Sequence, residues 1–193
     1  MCRTTLLART RALVPVLFAL VLALPLAGQQ AVRVASWNLQ AVGSSGSTQW
    51  NRAQDVLQRV DADIIAVQEI DGVFEASTFA SFAAGAGYPH SAAGGTSGTR
   101  SGELSNGIIS RWPIVFQQSW SAAAISGDPS ANDITRDIFE AHVQVPNATE
   151  IIGVFSVHFK ASSGSTNDFR RAVEVQRLLT VVNNFKANHP GAA

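Results

Sequence analysis

The segment ADIIAVQEI at residues 62–70 decides the fold of this chain. Its run from Ile64 to Gln68 is almost wholly apolar, which is typical of a strand that a sheet buries on both faces. The strand ends at Glu69, so a carboxylate stands at the mouth of an apolar strand. We expect helices against this sheet, because a strand without a polar face must be covered on both sides.

The segments on either side of this strand alternate between strand and helix. Residues 32–37 predict a short strand, and a Gly/Ser loop leads from it to a helix over residues 48–60. The apolar residues of that helix recur at helical spacing, and Ser47 or Thr48 is placed to cap its first turn. They are Trp50, Ala53, Leu57 and Val60. A second helix is expected over residues 74–84.

The C-terminal half predicts four strands followed by one helix. The predicted strands cover residues 106–111, 115–122, 139–145 and 151–159, the helix covers 167–188, and loops cover 94–103 and 126–134. The inner side of that helix is expected to carry Phe169, Val173, Leu178, Leu179, Val182 and Phe185. This order of elements predicts a mixed α/β or α+β layered domain.

The composition excludes several classes of protein. With 46% apolar residues and zero formal net charge over 193 residues, the chain suits a globular domain and not a disordered segment. The only cysteine is Cys2, which excludes a disulfide scaffold and a Cys-ligated zinc or iron–sulfur site. The sequence also lacks a G-x-S-x-G motif, a P-loop and a dinucleotide-binding fingerprint.

The N-terminus predicts a secretory signal peptide over residues 1–28. Arg3, Arg9 and Arg11 form a positive region, an apolar run covers residues 12–27, and small residues follow. We expect a secreted or periplasmic protein without stable membrane insertion once the signal is cleaved. The alternative is an uncleaved segment that anchors the protein in the membrane.

Removal of residues 1–28 leaves a mildly acidic protein. It takes away three of the 14 basic residues and none of the 14 acidic ones, so the net charge becomes about −3. Such a protein has no broad basic surface for nucleic acid. We therefore expect any phosphate group to be held at a single site.

Three polar residues follow predicted buried strands: Asn38, Glu69 and His158. The ends of strands are where α/β enzymes place their sites, and a polar group beside an apolar strand needs a partner or a function. Glu69 could bind Mg²⁺ together with water and a substrate phosphate, because Mg²⁺ keeps much of its hydration. The alternative is a carboxylate in a surface turn, or one that caps a helix near Asp71.

The other candidate residues also have two interpretations each. Asn38 could orient a carboxylate or contact a phosphate, or it could close an Asx turn. His158 could protonate or hydrogen-bond a phosphate oxygen, or it could be a strand-end histidine satisfied by backbone. Arg136 is the best-placed cation for a phosphate, unless it forms a surface ion pair with Asp133 or Asp137.

Taken together, five segments resemble the endonuclease/exonuclease/phosphatase (DNase I-like) family. They are VRVASWNLQ at 32–40, ADIIAVQEI at 62–70, SNGIISRWPI at 105–114, TRDIFEAHV at 135–143 and IIGVFSVHFKAS at 151–162. The resemblance implies an α/β (α+β) layered sandwich of two sheets flanked by helices. It implies hydrolysis of a phosphoester, in which Mg²⁺, or Mn²⁺ or Ca²⁺ in its place, neutralises developing charge.

The resemblance also implies a role for each candidate residue. Glu69 would bind the metal, and Asn38 would lie beside it as a catalytic residue. Arg136 would contact the phosphate, and His158 would contact or protonate the scissile phosphate. Asn106 would line the floor of the substrate site.

The sequence departs from the family where G-D-x-N and S-D-H motifs are expected, because neither motif is present. We therefore interpret residues 29–193 as an incomplete, N-terminal part of such a domain with its C-terminal part missing, inactive by itself. The full-length protein would be a monomeric, secreted, divalent-metal-dependent phosphoesterase: a nuclease, a phospholipid phosphodiesterase or a phosphatase. Its substrate would be a phosphate ester, either nucleic acid, phospholipid or soluble. The alternative is a non-catalytic secreted binding module on the same scaffold.

Overall fold

The structure is a computed structural model that describes residues 31–40, 42, 44–70, 76–94 and 105–193. The signal peptide predicted over residues 1–28 lies outside this part of the chain. Residues 95–104 lie outside it as well, and with them most of the predicted loop over 94–103. The first two residues of the helix predicted over 74–84 are also outside the described residues.

Within the described residues the chain forms seven strands and four helices. In chain order they are β1 (Val34–Asn38), α1 (Thr48–Val60), β2 (Ile64–Ile70), α2 (Ala76–Gly85), β3 (His90–Ala93), β4 (Ser105–Ser110), β5 (Ile114–Trp120), α3 (Ala122–Ser126), β6 (Ile138–Gln144), β7 (Ile151–Ser156) and α4 (Ser165–Asn188). None of these helices is long and apolar enough to cross a membrane.

The strands form two sheets. The first has the order β1-β2-β4-β3 and the second the order β5-β6-β7. β1 and β2 are parallel, whereas every other pair is antiparallel. In β2 every residue except Glu69 is buried, which confirms the prediction that this strand is covered on both faces.

Alternate residues of β2 face two different cores. Ile65 and Val67 pack with residues of α1 and α2, such as Leu57 and Phe82. Ile64 and Ala66 face the second sheet instead, where they pack with Phe139, Ala141, Val143 and Val154. On the far side of the second sheet, α4 packs its Phe185 against β7. The result is the predicted layered sandwich of two sheets between helices.

The predicted helix over 48–60 is confirmed with its bounds. Its cap is Ser47, whose Oγ accepts a hydrogen bond from the backbone N–H of Trp50 at 3.2 Å. Trp50, Ala53 and Leu57 are buried as predicted, but Val60 is 46% exposed because the helix ends there.

Two short elements escaped the sequence analysis. β3 has only four residues, of which three are small, so its pattern has no clear period. α3 occupies the end of the strand predicted over 115–122, because Ser121 accepts a hydrogen bond from the backbone N–H of Ala124 and starts a helix there. Within the described ranges, five strands therefore follow α2, not four.

The predicted inner face of the last helix is wrong in part. Phe169 is 71% exposed and Leu179 is 46% exposed, whereas Glu174, Val181 and Phe185 are buried. The buried face follows the helical spacing through Arg171, Glu174, Leu178, Val181 and Phe185. It starts with charged residues, so a search for apolar residues alone selected a different face.

Candidate active site

The candidate site lies where the two sheets meet, at the ends of β1, β2 and β7. Asn38 is the last residue of β1 and pairs with Gln68 of the parallel neighbour β2. Glu69 is the residue before the last in β2, and His158 follows β7 by two residues. Three segments that are far apart in sequence therefore bring these polar residues to one edge of the sandwich.

A β-bulge turns Glu69 toward the second sheet. Between Val67 and Ile70, β2 has one more residue than the facing segment of β4, and Glu69 takes a left-handed backbone with φ +57°. Gln68 faces the second sheet, so Glu69 would face the helices if the strand were regular. The bulge turns the side chain of Glu69 toward the second sheet. Ile70 then packs in the helix-side core, which is the core that the first sheet forms with α1 and α2.

The bulge also explains the position of Asn106. Gln68 and Glu69 together oppose this single residue of β4, because Gly107 pairs with Val67 and Ser105 pairs with Ile70. Asn106 is buried and its Nδ2 donates to the backbone carbonyl of Asp137 at 2.9 Å. Its Oδ1 is buried and has no hydrogen-bond partner among the described residues. Within the described part of the chain, the hydrogen-bonding capacity of that oxygen is therefore unused.

His158 and Glu69 form the closest contact between candidate residues. Nε2 of His158 lies 3.5 Å from Oε1 of Glu69, with 17% and 21% of the two side chains exposed. Nδ1 of His158 is buried without a hydrogen-bond partner among the described residues. Burial lowers the pKa of His158, and the positive charge of Arg136 lowers it further, against the opposing effect of Glu69 and Glu174. Burial and Arg136 therefore both favour the neutral imidazole over the imidazolium.

Arg136 lies two residues before β6 and contacts the segment that carries His158. Its Nη1 donates to the backbone carbonyl of His158 at 3.4 Å. Asp133, one of its two expected ion-pair partners, is instead hydrogen-bonded by Arg177 Nε at 2.9 Å. The guanidinium of Arg136 thus lies next to the backbone of His158.

Asn38 forms the Asx turn that was its alternative interpretation. Its Oδ1 accepts a hydrogen bond from the backbone N–H of Gln40 at 3.0 Å. The turn fixes the side chain at the end of β1, next to Gln68. A role for Asn38 in binding metal or phosphate stays a prediction.

The sequence analysis missed a hydrogen-bonded chain beneath these residues. Nε2 of Gln68 donates to Ser156 Oγ at 3.2 Å, and Ser156 Oγ donates to the carbonyl of Val67 at 2.8 Å. Ser36 Oγ donates to Gln68 Oε1 at 3.3 Å. This Ser36–Gln68–Ser156 chain joins β1, β2 and β7, so it fixes the strand ends that carry the candidate residues. Its sequence signal is a glutamine at the end of an apolar run.

A second missed residue is Glu174 of α4. It is buried, and its two carboxylate oxygens accept hydrogen bonds from the backbone N–H groups of Thr135 and Lys160 at 2.9 and 2.6 Å. Thr135 directly precedes Arg136, and Lys160 follows His158 by two residues. A glutamate at a position of the buried helical face was the signal that could have identified it.

The described residues fit one kind of metal site and exclude another. No group of three or more His, Cys, Asp or Glu side chains in the described ranges could enclose a metal ion. Glu69 supplies one partly exposed carboxylate beside a neutral imidazole. That donor set fits Mg²⁺, which is commonly held by one or two carboxylates, several waters and a substrate phosphate. It does not fit an ion that requires a closed cage of protein ligands.

The fold is similar to several solved structures. It resembles truncated TDP2 from Caenorhabditis elegans with a TM-score of 0.58 at 14% identity, covering 83% of this chain and 58% of that one. It resembles the 3′ phosphatase NExo from Neisseria, solved with a product DNA hairpin, with a TM-score of 0.55 at 15% identity, covering 84% and 55%. An endonuclease/exonuclease/phosphatase from Beutenbergia cavernae matches with a TM-score of 0.52 at 18% identity, covering 72% and 42%.

At these identities the likeness concerns the fold, and the chain spans 42% to 58% of the length of those three structures. No curated protein matches the sequence. A model of the endonuclease/exonuclease/phosphatase family does match, over residues 35–191, which include all the candidate residues. This chain therefore belongs to the endonuclease/exonuclease/phosphatase family.

Proposed function

We propose that this chain is part of a secreted or periplasmic, divalent-metal-dependent enzyme that hydrolyses phosphodiester or phosphomonoester bonds. The observation that carries the proposal is the contact of the Glu69 carboxylate, at the bulge in β2, with the imidazole of His158. The guanidinium of Arg136 is bonded to the same segment. Family membership supports the reaction class, because family members are hydrolases of phosphoester bonds.

Each candidate residue has a distinct task in this proposal. Glu69 holds Mg²⁺, or Mn²⁺ or Ca²⁺ in its place, with Asn38 beside it. When bound, such an ion supplies neutralisation of the charge on the phosphate group. Arg136 binds a phosphate oxygen through its guanidinium, a geometry that suits phosphate. Asn106 lines the floor, where its buried Oδ1 can accept a hydrogen bond from the substrate.

His158 contributes a neutral imidazole. In that state one ring nitrogen donates a hydrogen bond and the other accepts one. A phosphate oxygen within reach could receive the donated hydrogen bond, whereas a proton could be transferred to it only from the imidazolium, which leaves the neutral imidazole behind. The lowered pKa of His158 favours the neutral form over the imidazolium, so proton transfer to the phosphate depends on pH.

The substrate is proposed as a phosphate ester bound at one site: a nucleic acid, a phospholipid head group or a soluble ester. Without residues 1–28 the chain carries a charge of about −3, which does not favour a long basic binding track. The proposal covers a nuclease, a phospholipid phosphodiesterase and a phosphatase. Activity on bis(4-nitrophenyl) phosphate against 4-nitrophenyl phosphate distinguishes diester from monoester hydrolysis.

The proposal includes the cellular location and the oligomeric state of the protein. Residues 1–28 act as a signal peptide, residues 29–193 belong to the catalytic domain, and the full-length protein is a monomer. Mass spectrometry of the mature N-terminus tests the first part. A start near Gln29 supports cleavage, whereas an intact N-terminus in the membrane fraction supports an anchor.

The 193-residue chain by itself is proposed to be inactive. The family resemblance implies that G-D-x-N and S-D-H motifs supply the groups that activate water, and neither motif is in this sequence. The alternative function is that of a non-catalytic secreted binding module on the same scaffold. That module would bind metal and phosphate without turnover.

The first experiment is therefore a binding experiment. The chain is titrated with Mn²⁺ while paramagnetic broadening of the His158 and Asn106 side-chain signals is followed by NMR. We expect broadening in the wild type and its loss in Glu69→Gln, with Glu150→Gln as a control for an exposed carboxylate. Equal broadening in the wild type and in Glu69→Gln would contradict the assignment of Glu69.

A further inference from the structure

The helix α4 carries three charged residues, Arg171, Glu174 and Arg177, that contact two separate segments of the site. One segment, residues 133–136, leads into β6 and ends with Arg136. The other, residues 158–162, follows β7 and begins with His158. The contacts join the helix to the backbone or to a carboxylate in these segments. None of the three residues is in the set assigned to metal or phosphate.

Glu174 is the centre of these contacts. It is 3% exposed, and its Oε1 and Oε2 accept separate hydrogen bonds from Thr135 N–H and Lys160 N–H. One carboxylate thus connects the residue before Arg136 with the residue two positions after His158. Hydrogen bonds to an ionised acceptor are about twice as strong as neutral ones, so this connection is a strong one.

The two neighbours of Glu174 act on the same segments from either side. Arg171 Nη1 donates to the carbonyls of Lys160 and Ser162 at 3.0 and 2.7 Å. The peptide units around Lys160 are therefore held by a donor and an acceptor from the same helix. Arg177 binds Asp133, three residues before Arg136.

Holding two loops with a buried carboxylate costs hydration free energy. Ionised groups lose much hydration free energy when buried, and they persist only where hydrogen bonds or charges compensate. Glu174 has the two backbone donors as compensation, and its charge also opposes the lowering of the pKa of His158. The distance between the Arg136 guanidinium and His158 depends on the two segments that Glu174 connects.

We propose that Glu174 is the positioning residue that sets the spacing of Arg136 and His158 and thereby the affinity of the site for a phosphate group. This inference rests on the proposed function, since it takes Arg136 and His158 as the phosphate-binding pair. Glu174 does not contact the phosphate. It acts through the backbone of Thr135 and Lys160.

The test measures binding of inorganic phosphate to the ¹⁵N-labelled chain by NMR, observed at the Arg136 Nε–H group and the His158 ring. We expect Glu174→Gln to weaken phosphate binding by roughly 10-fold, the lower range for losing a residue that orients a ligand group. A carboxamide keeps one acceptor oxygen and places a donor against the other N–H group. Glu174→Asp keeps the charge and should bind phosphate more tightly than Glu174→Gln.

Three further variants separate positioning from lost charge and lost stability. Glu150→Gln removes an exposed carboxylate, and Ile65→Val mildly destabilises the helix-side core; both should bind phosphate within twofold of the wild type. Arg136→Gln should abolish phosphate binding. If Arg136→Gln binds as the wild type does, the proposed phosphate site and this inference both fail.

The inference alone fails if Arg136→Gln loses binding while Glu174→Gln keeps wild-type affinity. It also fails if Ile65→Val weakens binding as much as Glu174→Gln does at equal loss of stability. Should Glu174→Gln not fold, Arg171→Ala decides the question. That variant removes the hydrogen bonds that Arg171, a partly exposed residue of α4, donates to the carbonyls of Lys160 and Ser162. Unchanged phosphate affinity in it would overturn the inference.

Discussion

His158 and Glu69, 89 positions apart in sequence, place Nε2 and Oε1 3.5 Å from each other across the junction of the two sheets. Glu69 reaches this position only because β2 has a bulge, and His158 because β7 ends two residues before it. The contact joins the residue proposed to hold a metal ion to the residue proposed to contact phosphate. The properties of both residues can be measured.

The first prediction concerns the backbone of Glu69. A residue with a side chain pays ~1–2 kcal/mol for left-handed backbone, whereas glycine does not. We expect Glu69→Gly to be more stable than Glu69→Ala by about 1 kcal/mol, although in a regular strand glycine is the less favourable residue. Urea unfolding of the two variants measures the difference. A higher free energy of unfolding for the alanine variant would show that the bulge imposes no such strain.

The second prediction concerns the pKa of His158. An NMR titration should give a value below the ordinary 6.5 of histidine, because burial and Arg136 both disfavour the imidazolium. Glu69→Gln should lower the pKa further, since a stabilising negative charge is lost. Arg136→Gln should raise it. A higher pKa in Glu69→Gln, or a lower pKa in Arg136→Gln, would contradict the arrangement of charges described here.

The same shift makes stability depend on pH. With a folded-state pKa below the unfolded-state value, the unfolded chain binds more protons, so stability rises with pH in that range. The contribution of His158 is complete above pH ~6.5 and is lost as the pH falls through its folded-state pKa. Denaturant midpoints measured at several pH values should therefore be less dependent on pH in His158→Gln than in the wild type.

The fourth prediction concerns the Ser36–Gln68–Ser156 chain. Ser156→Ala should cost ~1–3 kcal/mol, because it leaves a buried amide hydrogen and the carbonyl of Val67 without their partner. Ser81→Ala is the matched control, since that serine is exposed and bonds only within α2. Its effect should stay within ~0.5 kcal/mol. Equal effects of the two substitutions would remove the energetic role assigned to the chain.

The fifth prediction concerns the contact of α4 with β7. A Cβ atom on Gly153 would lie 2.5 Å from the ring of Phe185, so the ring must move. Gly153→Ala should destabilise the protein by ~1–3 kcal/mol, as overpacking does. Phe185→Leu in the same chain should restore part of the loss. A double-mutant cycle with no coupling between the two positions would contradict this packing.

The sequence predicted those elements whose pattern is local. Two such elements are the apolar strand that begins at Ile64 and the helix over 48–60, and both are present. The pattern that predicts each of them lies within a short stretch of sequence. β3 is too short for a period, and the buried face of α4 contains charged residues, so pattern reasoning failed at both. Asn38, Glu69 and His158 became candidate residues because they follow predicted apolar strands.

The remaining site features depend on partners that a single sequence does not reveal. Asn106 entered only through the family resemblance, because nothing in its own segment distinguishes it. Its position opposite the bulge requires the register between β2 and β4. The role of Glu174 can be inferred only when the positions of the two loops that it connects are known. Local patterns locate strand ends, whereas tertiary pairing decides which strand ends meet.

The bulge in β2 has a consequence for how this family member could gain or lose its carboxylate. Glu69 is the extra residue of the bulge, and the residues before and after it have the faces that they would have in a regular strand without Glu69. Deletion of the single codon for Glu69 would therefore leave Gln68 toward the second sheet and Ile70 toward the helices. The fold and the carboxylate that it presents are therefore separable by the loss of one codon.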